Sequence, residues 1–403
     1  MAAQKVVANI ADRVITLGPT LPPIPERLLL AHSRGEVLFI AGAGVSRSAG
    51  LPDFRQLALD VYAKLDKPVH DVISQIPATA CNQWAADLTG LTHQQSAEVK
   101  RFIGGDYDVV LGMLERRMDG QPGALSSVRR TIASHLRRPG VRPAPVHRAL
   151  MRLADRGGAT TIVTTNFEHL LEDAAKTPSR LQTYALGGIP RPGRSMDFAG
   201  VLHIHGALDR NPGRTADLIV SDQDFGEFYL RRRVVSDFIY DAARLFHLVL
   251  VGYSANDPPM RYLLNAVAAD GTRFDDLKER FTFVGNSDTD PVALEDWRGR
   301  GITPIHYDST GGHSTLLQTL EKWAEMSAIN GKKPKIDAQL KRIVRVPRKD
   351  APDADRDLFD HLIRRSDTNE RVRLSALASA ANADLTWLDA ICEVTSEVEA
   401  RRR

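Results

Sequence analysis

The sequence predicts an α/β fold: a Rossmann-like, mostly parallel sheet with helices on both faces, a helical insertion and a C-terminal helical tail. Short apolar runs without helical spacing, such as EVLFIAG at 36–42 and FHLVLVG at 246–252, alternate with segments whose apolar residues recur at helical spacing. A glycine-rich turn joins the first of these runs to a helix. Strands that alternate with helices favour a parallel sheet covered on both faces.

The composition indicates a globular protein, with 403 residues, 43% of them hydrophobic and 26% charged. Its 53 Lys and Arg nearly balance 50 Asp and Glu, so the net charge of +3 gives no general attraction to nucleic acid. Cys81 and Cys392 are too few for a disulfide framework or a four-thiolate zinc site, which favours a reducing compartment. The most apolar stretch, 245–255, is shorter than a membrane span, and the N-terminus lacks an apolar signal core. We expect a cytoplasmic protein that does not contact a membrane.

In chain order, residues 1–18 are expected to form an amphipathic helix, ended by the proline-rich run at 20–26. A second helix should end at Gly35, before the strand at 36–42 and the helix FRQLALDVYAKL at 54–65. The polar segment from about 67 to 140 has helical spacing and no strong strand signal, so we interpret it as a helical insertion.

Strand and helix signals alternate again after the insertion. Helices are predicted for 145–158, 166–175, 257–267 and 314–324, and strands for 160–164, 201–206, 217–221, 246–252, 281–285 and 302–308.

The end of the chain differs in composition. Residues 332–349 contain eight Lys or Arg and only one acidic residue, Asp337, which indicates a linker or a basic arm. Such runs are usually solvated, and binding of nucleic acid or a partner is the less favoured interpretation. Two or three helices should follow. We therefore expect a catalytic domain over 1–330 and a basic linker with a helical region over 331–403.

The segment GAGVSRSAGLPDFR at 42–55 lies where a strand passes into a helix. Gly42 and Gly44 leave room for backbone N–H groups to face a phosphate near a helix N-terminus. The segment is not a P-loop, and Arg47 stands where a dehydrogenase fingerprint has its third glycine. A plain turn is the alternative for glycines in this setting.

Five motifs occur in a fixed order: GAGVS at 42–46, GLPDFR at 50–55, TTNFEHLLE at 164–172, HG at 205–206 and GYSAND at 252–257. Together they resemble the sirtuin-like family of NAD-consuming enzymes over about residues 30–320. The TTN spelling, the segment GYSANDPPMRYLL and the lack of a zinc ribbon resemble its bacterial anti-phage branch, which degrades NAD upon infection.

The resemblance implies a set of residues that bind the dinucleotide. These are Gly42, Ala43, Gly44 and Ser46 at the phosphates, Asp53, Phe54 and Arg55 on a mobile cover, and Thr165, Glu168, Gly252, Ser254 and Asn286. Glu168 stands where the family usually has an Asp that holds the nicotinamide carboxamide. Phe54 also suits the apolar core.

The same resemblance implies two catalytic residues. Asn166 should orient the ribose or the attacking water, and His205 should accept a proton. Asn166 would also suit a helix N-cap. His203 and His205 resemble a metal pair, but no Asp, Glu or Cys stands at ligand spacing, so no metal and no zinc is predicted. His169 is interpreted as a surface histidine. A Ser254 nucleophile is disfavoured, because Asn256 replaces the second glycine of GxSxG.

We therefore expect an NAD+ glycohydrolase that forms nicotinamide and ADP-ribose, with NAD as substrate and no further cofactor. An NAD-dependent protein deacylase and a non-catalytic NAD-sensing module remain alternatives. The family precedent implies a homo-oligomer with a regulatory protein partner or a phage-derived trigger.

Overall fold

The computed structural model describes residues 13–78, 84–120, 123, 125–177, 181–193, 199–211, 217–253, 264, 277–285 and 291–400. The strands are β1 Val14–Thr16, β2 Pro23–Pro25, β3 Val37–Ala41, β4 Thr161–Thr164, β5 Thr183–Tyr184, β6 Gly200–His203, β7 His247–Val251, β8 Arg280–Gly285 and β9 Ile302–Tyr307. β1 and β2 form a small antiparallel pair. The other strands form one parallel sheet of seven in the order β5-β6-β4-β3-β7-β8-β9. This arrangement confirms the predicted fold class.

Helices cover both faces of this sheet and build the insertion. They are α1 Glu26–Ser33, α2 Ala43–Arg47, α3 Phe54–Leu65, α4 Lys67–Ile73, α5 His93–Ile103, α6 Tyr107–Asp119, α7 Ser127–Leu136, α8 Pro145–Ala154, α9 Leu170–Asp173, α10 Asp222–Phe225, α11 Val234–Leu245, α12 Pro291–Gly299, α13 Ser314–Met326, α14 Lys333–Ile343, α15 Asp353–Arg364, α16 Thr368–Ala380 and α17 Leu385–Ala400. A π-helix spans Gly226–Arg231 and a 3-10 turn spans Arg348–Asp350.

The central strands are buried on both faces, and most of their residues are apolar. All five residues of β3 are buried, and β4 and β6 are buried throughout. A strand that is covered on both faces has no solvated side, which explains its continuous apolar run. The sheet therefore forms the core on which the rest of the chain packs.

Three apolar clusters surround the sheet. One face packs against α1, α8, α13 and the tail helices, and the other packs against α11 and the π-helix. The third cluster joins the insertion, with Phe102 and Leu114, to α3 with Tyr62 and to the segments that follow β4 and β6. The predicted helical insertion and helical tail are both present, and the insertion packs against α3 and the loops at the edge of the sheet.

Three predicted elements differ from the structure. Of the predicted helix at 1–18, residues 14–16 form β1, which pairs with the proline-containing β2. The predicted strand at 217–221 is irregular, and its Ile219 N–H donates to the His205 backbone O at 2.8 Å. The predicted helix at 166–175 is reduced to α9, because residues 166–169 turn their polar groups toward neighbouring loops.

The segment interpreted as a basic linker contains α14. Its Ile336, Leu340 and Ile343 are buried in the cluster on one face of the sheet, while its Lys residues face solvent. The amphipathic spacing within the charged run explains this packing. Among the described residues, none of the helices combines the length and apolar character that a membrane span requires.

Candidate functional site

The ends of four neighbouring strands are level with one another. Ala41 at the end of β3 pairs with Thr164 of β4 and with Val251 of β7, and Thr164 pairs in turn with His203 of β6. The residues that follow these ends therefore meet at the carboxyl edge of the sheet, where ligands bind in open parallel sheets. The motif segments beginning at Gly42, Thr165 and Gly252 all start at this edge.

Gly42 and Gly44 pack directly on the turn after β7. Gly42 N–H donates to Val251 O at 2.9 Å and Gly44 N–H donates to Gly252 O at 3.0 Å. A Cβ on Gly42 would lie 2.7 Å from Gly252 O, and one on Gly44 would lie 2.9 Å from Gly252 Cα. These two N–H groups are thus used within the protein, and what the glycines provide is close approach of two turns.

The Asn166 side chain is held by three acceptors. Its Nδ2 lies 3.3 Å from Gly42 O, 3.1 Å from Ser46 Oγ and 3.1 Å from Glu168 Oε1. Because a carbonyl and a carboxylate can only accept, these contacts fix the amide so that its NH₂ group faces them. Asn166 Oδ1 makes no hydrogen bond to the described residues. Asn166 is 9% exposed, so this oxygen is the atom it can offer to a ligand.

His147 belongs to the same hydrogen-bonded group, and none of the sequence motifs includes it. Its Nδ1 accepts from Ala144 N–H at 3.1 Å, and its Nε2 lies 3.2 Å from Ser46 Oγ. Burial lowers the pKa of His147 to about 4, so the ring is neutral and carries its hydrogen on Nε2. Nε2–H therefore donates to Ser46, which in turn donates to Glu168 Oε1 at 2.5 Å. This tautomer cannot take a proton from Ser46, which excludes a Ser–His nucleophile here.

Glu168 is the carboxylate of the group. Burial raises its pKa above the usual value, although hydrogen bonds from Ser46 and Asn166 oppose the shift. A carboxylate whose pKa is raised is a stronger base than an exposed one, and this carboxylate lies next to the oriented amide of Asn166.

His205 lies beyond the end of β6 and is enclosed by aromatic rings. It is 6% exposed, its Nε2 lies 2.5 Å from Tyr229 Oη, and it packs edge-on against Phe225 at 5.5 Å. Tyr229 reaches it from the π-helix, a rare element that often occurs at functional sites. Burial lowers the pKa of His205 to about 3, so the ring is neutral.

His203, Glu172 and His169 form a second buried group behind Asn166. Glu172 Oε1 lies 2.9 Å from His203 Nε2 and 3.2 Å from His169 Nδ1. The interpretation of His169 as a surface residue is wrong, since its Nε2 also lies 2.5 Å from Leu208 O. The sequence analysis found no acidic residue at metal-ligand spacing from His203, but the fold brings Glu172 next to it. One side-chain nitrogen or oxygen of each of these three residues lies within 4.8 Å of the other two. We interpret the 2.9 and 3.2 Å contacts among them as hydrogen bonds.

The residues predicted on a mobile cover are partly engaged elsewhere. Asp53 caps α3 by accepting from Gln56 N–H at 2.8 Å. The Phe54 ring packs edge-on against Tyr107 with 6.4 Å between the ring centroids, which favours the alternative that Phe54 is a core aromatic. Arg55 donates to Ile76 O at 2.5 Å and lies over the Phe102 ring, so its guanidinium is directed into the insertion rather than toward a phosphate.

The remaining predicted residues divide between those the structure describes and those it does not. Ala43 is half-buried in α2, directly after Gly42, and Thr165 Oγ1 lies 3.0 Å from Tyr253 Oη. Ser254, Asn256 and Asn286 lie outside the described residues. The site is therefore defined by Gly42, Gly44, Ser46, Asn166 and Glu168 together with Gly252.

Comparison with known proteins gives two findings. Residues 160–305 match a family model described as a SIR2-like domain. Over 404 residues the chain is 30% identical to a protein of Sinorhizobium fredii (strain NBRC 101917 / NGR234) named "Uncharacterized protein y4cA". The alignment covers 95% of this chain and 30% of that relative's length.

Proposed function

Since the match to a SIR2-like domain supports a sirtuin-like family, we propose that the protein is an NAD+ glycohydrolase. Use of NAD is compatible with that domain. Cleavage by water, and a role in defence against phage, rest on the motif resemblance and on the chemistry of the site.

The observation that carries the proposal is the fixed orientation of Asn166. Its NH₂ group is tied to Gly42, Ser46 and Glu168, which leaves Oδ1 as an acceptor at the carboxyl edge of the sheet. An acceptor held in one direction can orient a water or a ribose hydroxyl without reorganising during the reaction.

In the proposed reaction, water adds to C1′ of the nicotinamide ribose while the bond from C1′ to the pyridinium nitrogen breaks. The bonding electrons stay with nicotinamide, which leaves as a neutral molecule, and the water gives up one proton. NAD+ and water thus yield nicotinamide, ADP-ribose and H+. Asn166 positions the water, and exclusion of bulk water protects the positive charge that develops at C1′ as the bond breaks.

Two side chains are candidates for accepting the proton. His205 is the one implied by the resemblance, but burial lowers its pKa to about 3 and Tyr229 Oη lies against its Nε2. Glu168 lies 3.1 Å from Asn166 Nδ2, and burial raises its pKa. An efficient base has a pKa near the working pH, which favours Glu168.

One observation favours a second candidate, an NAD-binding module that does not cleave. The enclosed position of His205 between Phe225 and Tyr229 would suit a structural residue as well as a base. A site without an accessible base would bind NAD and leave it intact.

The test is incubation with NAD followed by chromatography of nicotinamide and ADP-ribose. We expect product from the wild type and none from Asn166→Ala, with the variant's melting temperature close to that of the wild type. Asn330→Ala is the matched control. It removes a hydrogen bond of 2.7 Å from Asn330 Nδ2 to Asp155 O, which lies away from the carboxyl edge of the sheet.

Three outcomes are informative. Equal turnover by Asn166→Ala and wild type would contradict the site. Tight NAD binding by calorimetry with no product, even in lysate from phage-infected cells, would favour the binding module. Product only in infected lysate would support a silent enzyme with a phage-derived trigger, and a mass measurement would then test the proposed homo-oligomer.

A further inference from the structure

His203 lies at the end of β6 with no exposed surface. Its Nδ1 lies 2.7 Å from the backbone O of Asn166, and its Nε2 lies 2.9 Å from Glu172 Oε1. The ring thus joins the backbone of Asn166 to a buried carboxylate on α9.

Both ring nitrogens face groups that accept hydrogen bonds. A backbone carbonyl can only accept, and so can an ionised carboxylate. Hydrogen bonds at 2.7 and 2.9 Å therefore require a hydrogen on each nitrogen, which makes the ring an imidazolium. A neutral tautomer would place a ring lone pair against one of these oxygens.

Glu172 is built to remain ionised. Burial alone would raise the pKa of its carboxyl group, but hydrogen bonds and charge from His169 and His203 hold that pKa far below its usual value. Its Oε1 also accepts from Thr183 Oγ1 at 2.8 Å. The ionisable side chains facing His203 are therefore Glu172, His169, whose ring lies 5.4 Å away, and the more distant Glu168.

The contact with Asn166 completes a set of restraints on one residue. Asn166 N–H donates to Thr164 Oγ1 at 3.0 Å, while its carbonyl accepts from His203. The N–H and C=O groups flanking the Asn166 Cα are then both fixed, so the direction of the side chain depends on both bonds. Without the His203 bond, the peptide after Asn166 could rotate.

We propose that His203 is a positioning residue which, as an imidazolium held by Glu172, fixes the backbone of Asn166 and so orients Oδ1 at the carboxyl edge of the sheet. The proposal rests on the proposed NAD cleavage for its kinetic consequence. Its structural core, the doubly protonated ring, can be measured without any turnover.

Two variants that both carry a carboxamide side chain test the two contacts of the His203 ring separately. In His203→Asn the amide nitrogen can take the place of Nδ1 and keep the donor to Asn166 O, while the contact with Glu172 is lost. In His203→Gln the amide nitrogen reaches the position of Nε2 and the donor to Asn166 O is lost. We expect His203→Gln to lose about 10- to 100-fold in kcat with KM nearly unchanged, and His203→Asn to retain most of the turnover.

The measurement independent of turnover is nitrogen NMR of histidine-labelled protein near pH 7. We expect the ring signal that both His203 variants remove to be doubly protonated. The His169 ring, whose nitrogens face Leu208 O and Glu172 Oε1, should be doubly protonated as well and should remain in both variants. A neutral His203 ring would overturn the proposal, and so would stoichiometric metal found by elemental analysis and lost in Glu172→Gln, because a cation would then occupy the position assigned to the proton.

The two proposals fail in different ways. If the wild type does not cleave NAD while the doubly protonated ring is present, the glycohydrolase is wrong and the charged pair stands. If the wild type cleaves NAD and both variants lose kcat equally, or neither does, His203 acts through general packing and the positioning role is wrong.

Discussion

At the scale of single residues, the hydrogen positions around Asn166 follow from one another. Ala144 N–H sets the tautomer of His147, His147 sets the direction of the Ser46 hydroxyl, and Ser46 donates to Glu168. Each step depends on a group that can only donate or only accept. The site is therefore ordered before any ligand binds.

The Ser46 hydroxyl links His147 to Glu168 in this series of hydrogen bonds. We expect Ser46→Ala to lower the free energy of unfolding by about 1–3 kcal/mol, because it leaves the buried Nε2–H of His147 without an acceptor. Ser48→Ala, on the exposed side of the same turn, should stay within about 0.5 kcal/mol of wild type. Urea denaturation measures both. Equal free energies of unfolding for the two variants would show that the contact between Ser46 and His147 does not contribute to stability.

Glu168 gives a prediction for pH. Burial raises its pKa above the usual 4.5, so as pH falls the carboxylate gains a proton at a higher pH than an exposed Glu would. If Glu168 accepts the proton from water, kcat/KM falls with decreasing pH through that raised pKa. A pH profile of the wild type measures this acidic limb, which Glu168→Gln should remove together with most of the activity.

Glu227, which is half-buried and paired with Arg231 and Arg232, provides the control. Glu227→Gln should keep the wild-type profile. A persistent acidic limb in Glu168→Gln would transfer the role of base to another group, with His205 the next candidate.

At the scale of elements, the close packing of the β3 and β7 turns is what brings the motifs together. We expect Gly44→Ala to cost about 1–3 kcal/mol of stability, since the added Cβ would meet the Gly252 backbone, which cannot rotate away as a side chain can. Gly226→Ala is the matched control: it has helical φ and ψ and nothing within 4 Å of the new Cβ, so it should be neutral or stabilising. Thermal unfolding compares them, and a harmless Gly44→Ala would contradict the packing.

Elements with one strong periodic signal were predictable from the sequence. The helix 54–65 is present as expected because its apolar residues recur at helical spacing, and the strands β3 and β7 because they are short continuous apolar runs. The strand expected at 217–221 is absent. This segment makes one backbone hydrogen bond to the loop after β6, from Ile219 N–H to His205 O, and does not form a ladder with a neighbouring strand. The helix expected from 166 begins only at Leu170, because Asn166 and Glu168 turn toward Ser46.

The site shows the same division. Motifs point to Asn166 and the glycine turn, but they assign no role to Glu172 and do not include His147 or Tyr229, because the contacts of these three residues join distant segments. Ser46 and His147 are separated by 101 positions, and Glu172 and His203 by 31. No local pattern encodes such a contact.

At the scale of the whole molecule, the tail is part of the main core. Trp387 is fully buried against Phe359, donates to Val346 O at 2.9 Å and belongs to the same cluster as the sheet residue Phe39. Glu26 of α1 is paired with His361 and Arg364 of α15 at 3.1 and 2.5 Å. Stability of the sheet and of the tail should therefore be coupled.

We expect Trp387→Ala to cost about 3–5 kcal/mol and to lower one shared unfolding transition. Leu385→Ala, 75% exposed on the same helix, should stay within about 0.5 kcal/mol of wild type. Calorimetry distinguishes the cases. Two separate transitions, with only the smaller one lowered by Trp387→Ala, would show that the tail is an independent domain.

The pairing of Glu26 with Arg364 also has a consequence for synthesis on the ribosome. The two residues are 338 positions apart, so at ordinary elongation rates Glu26 waits on the order of 20–70 s for its partner. During that interval α1 and β1 have no α15 to pack against, and the carboxylate of Glu26 stays hydrated. The nascent chain therefore completes this face of its sheet late in translation, which makes the interval a period when chaperones can bind it.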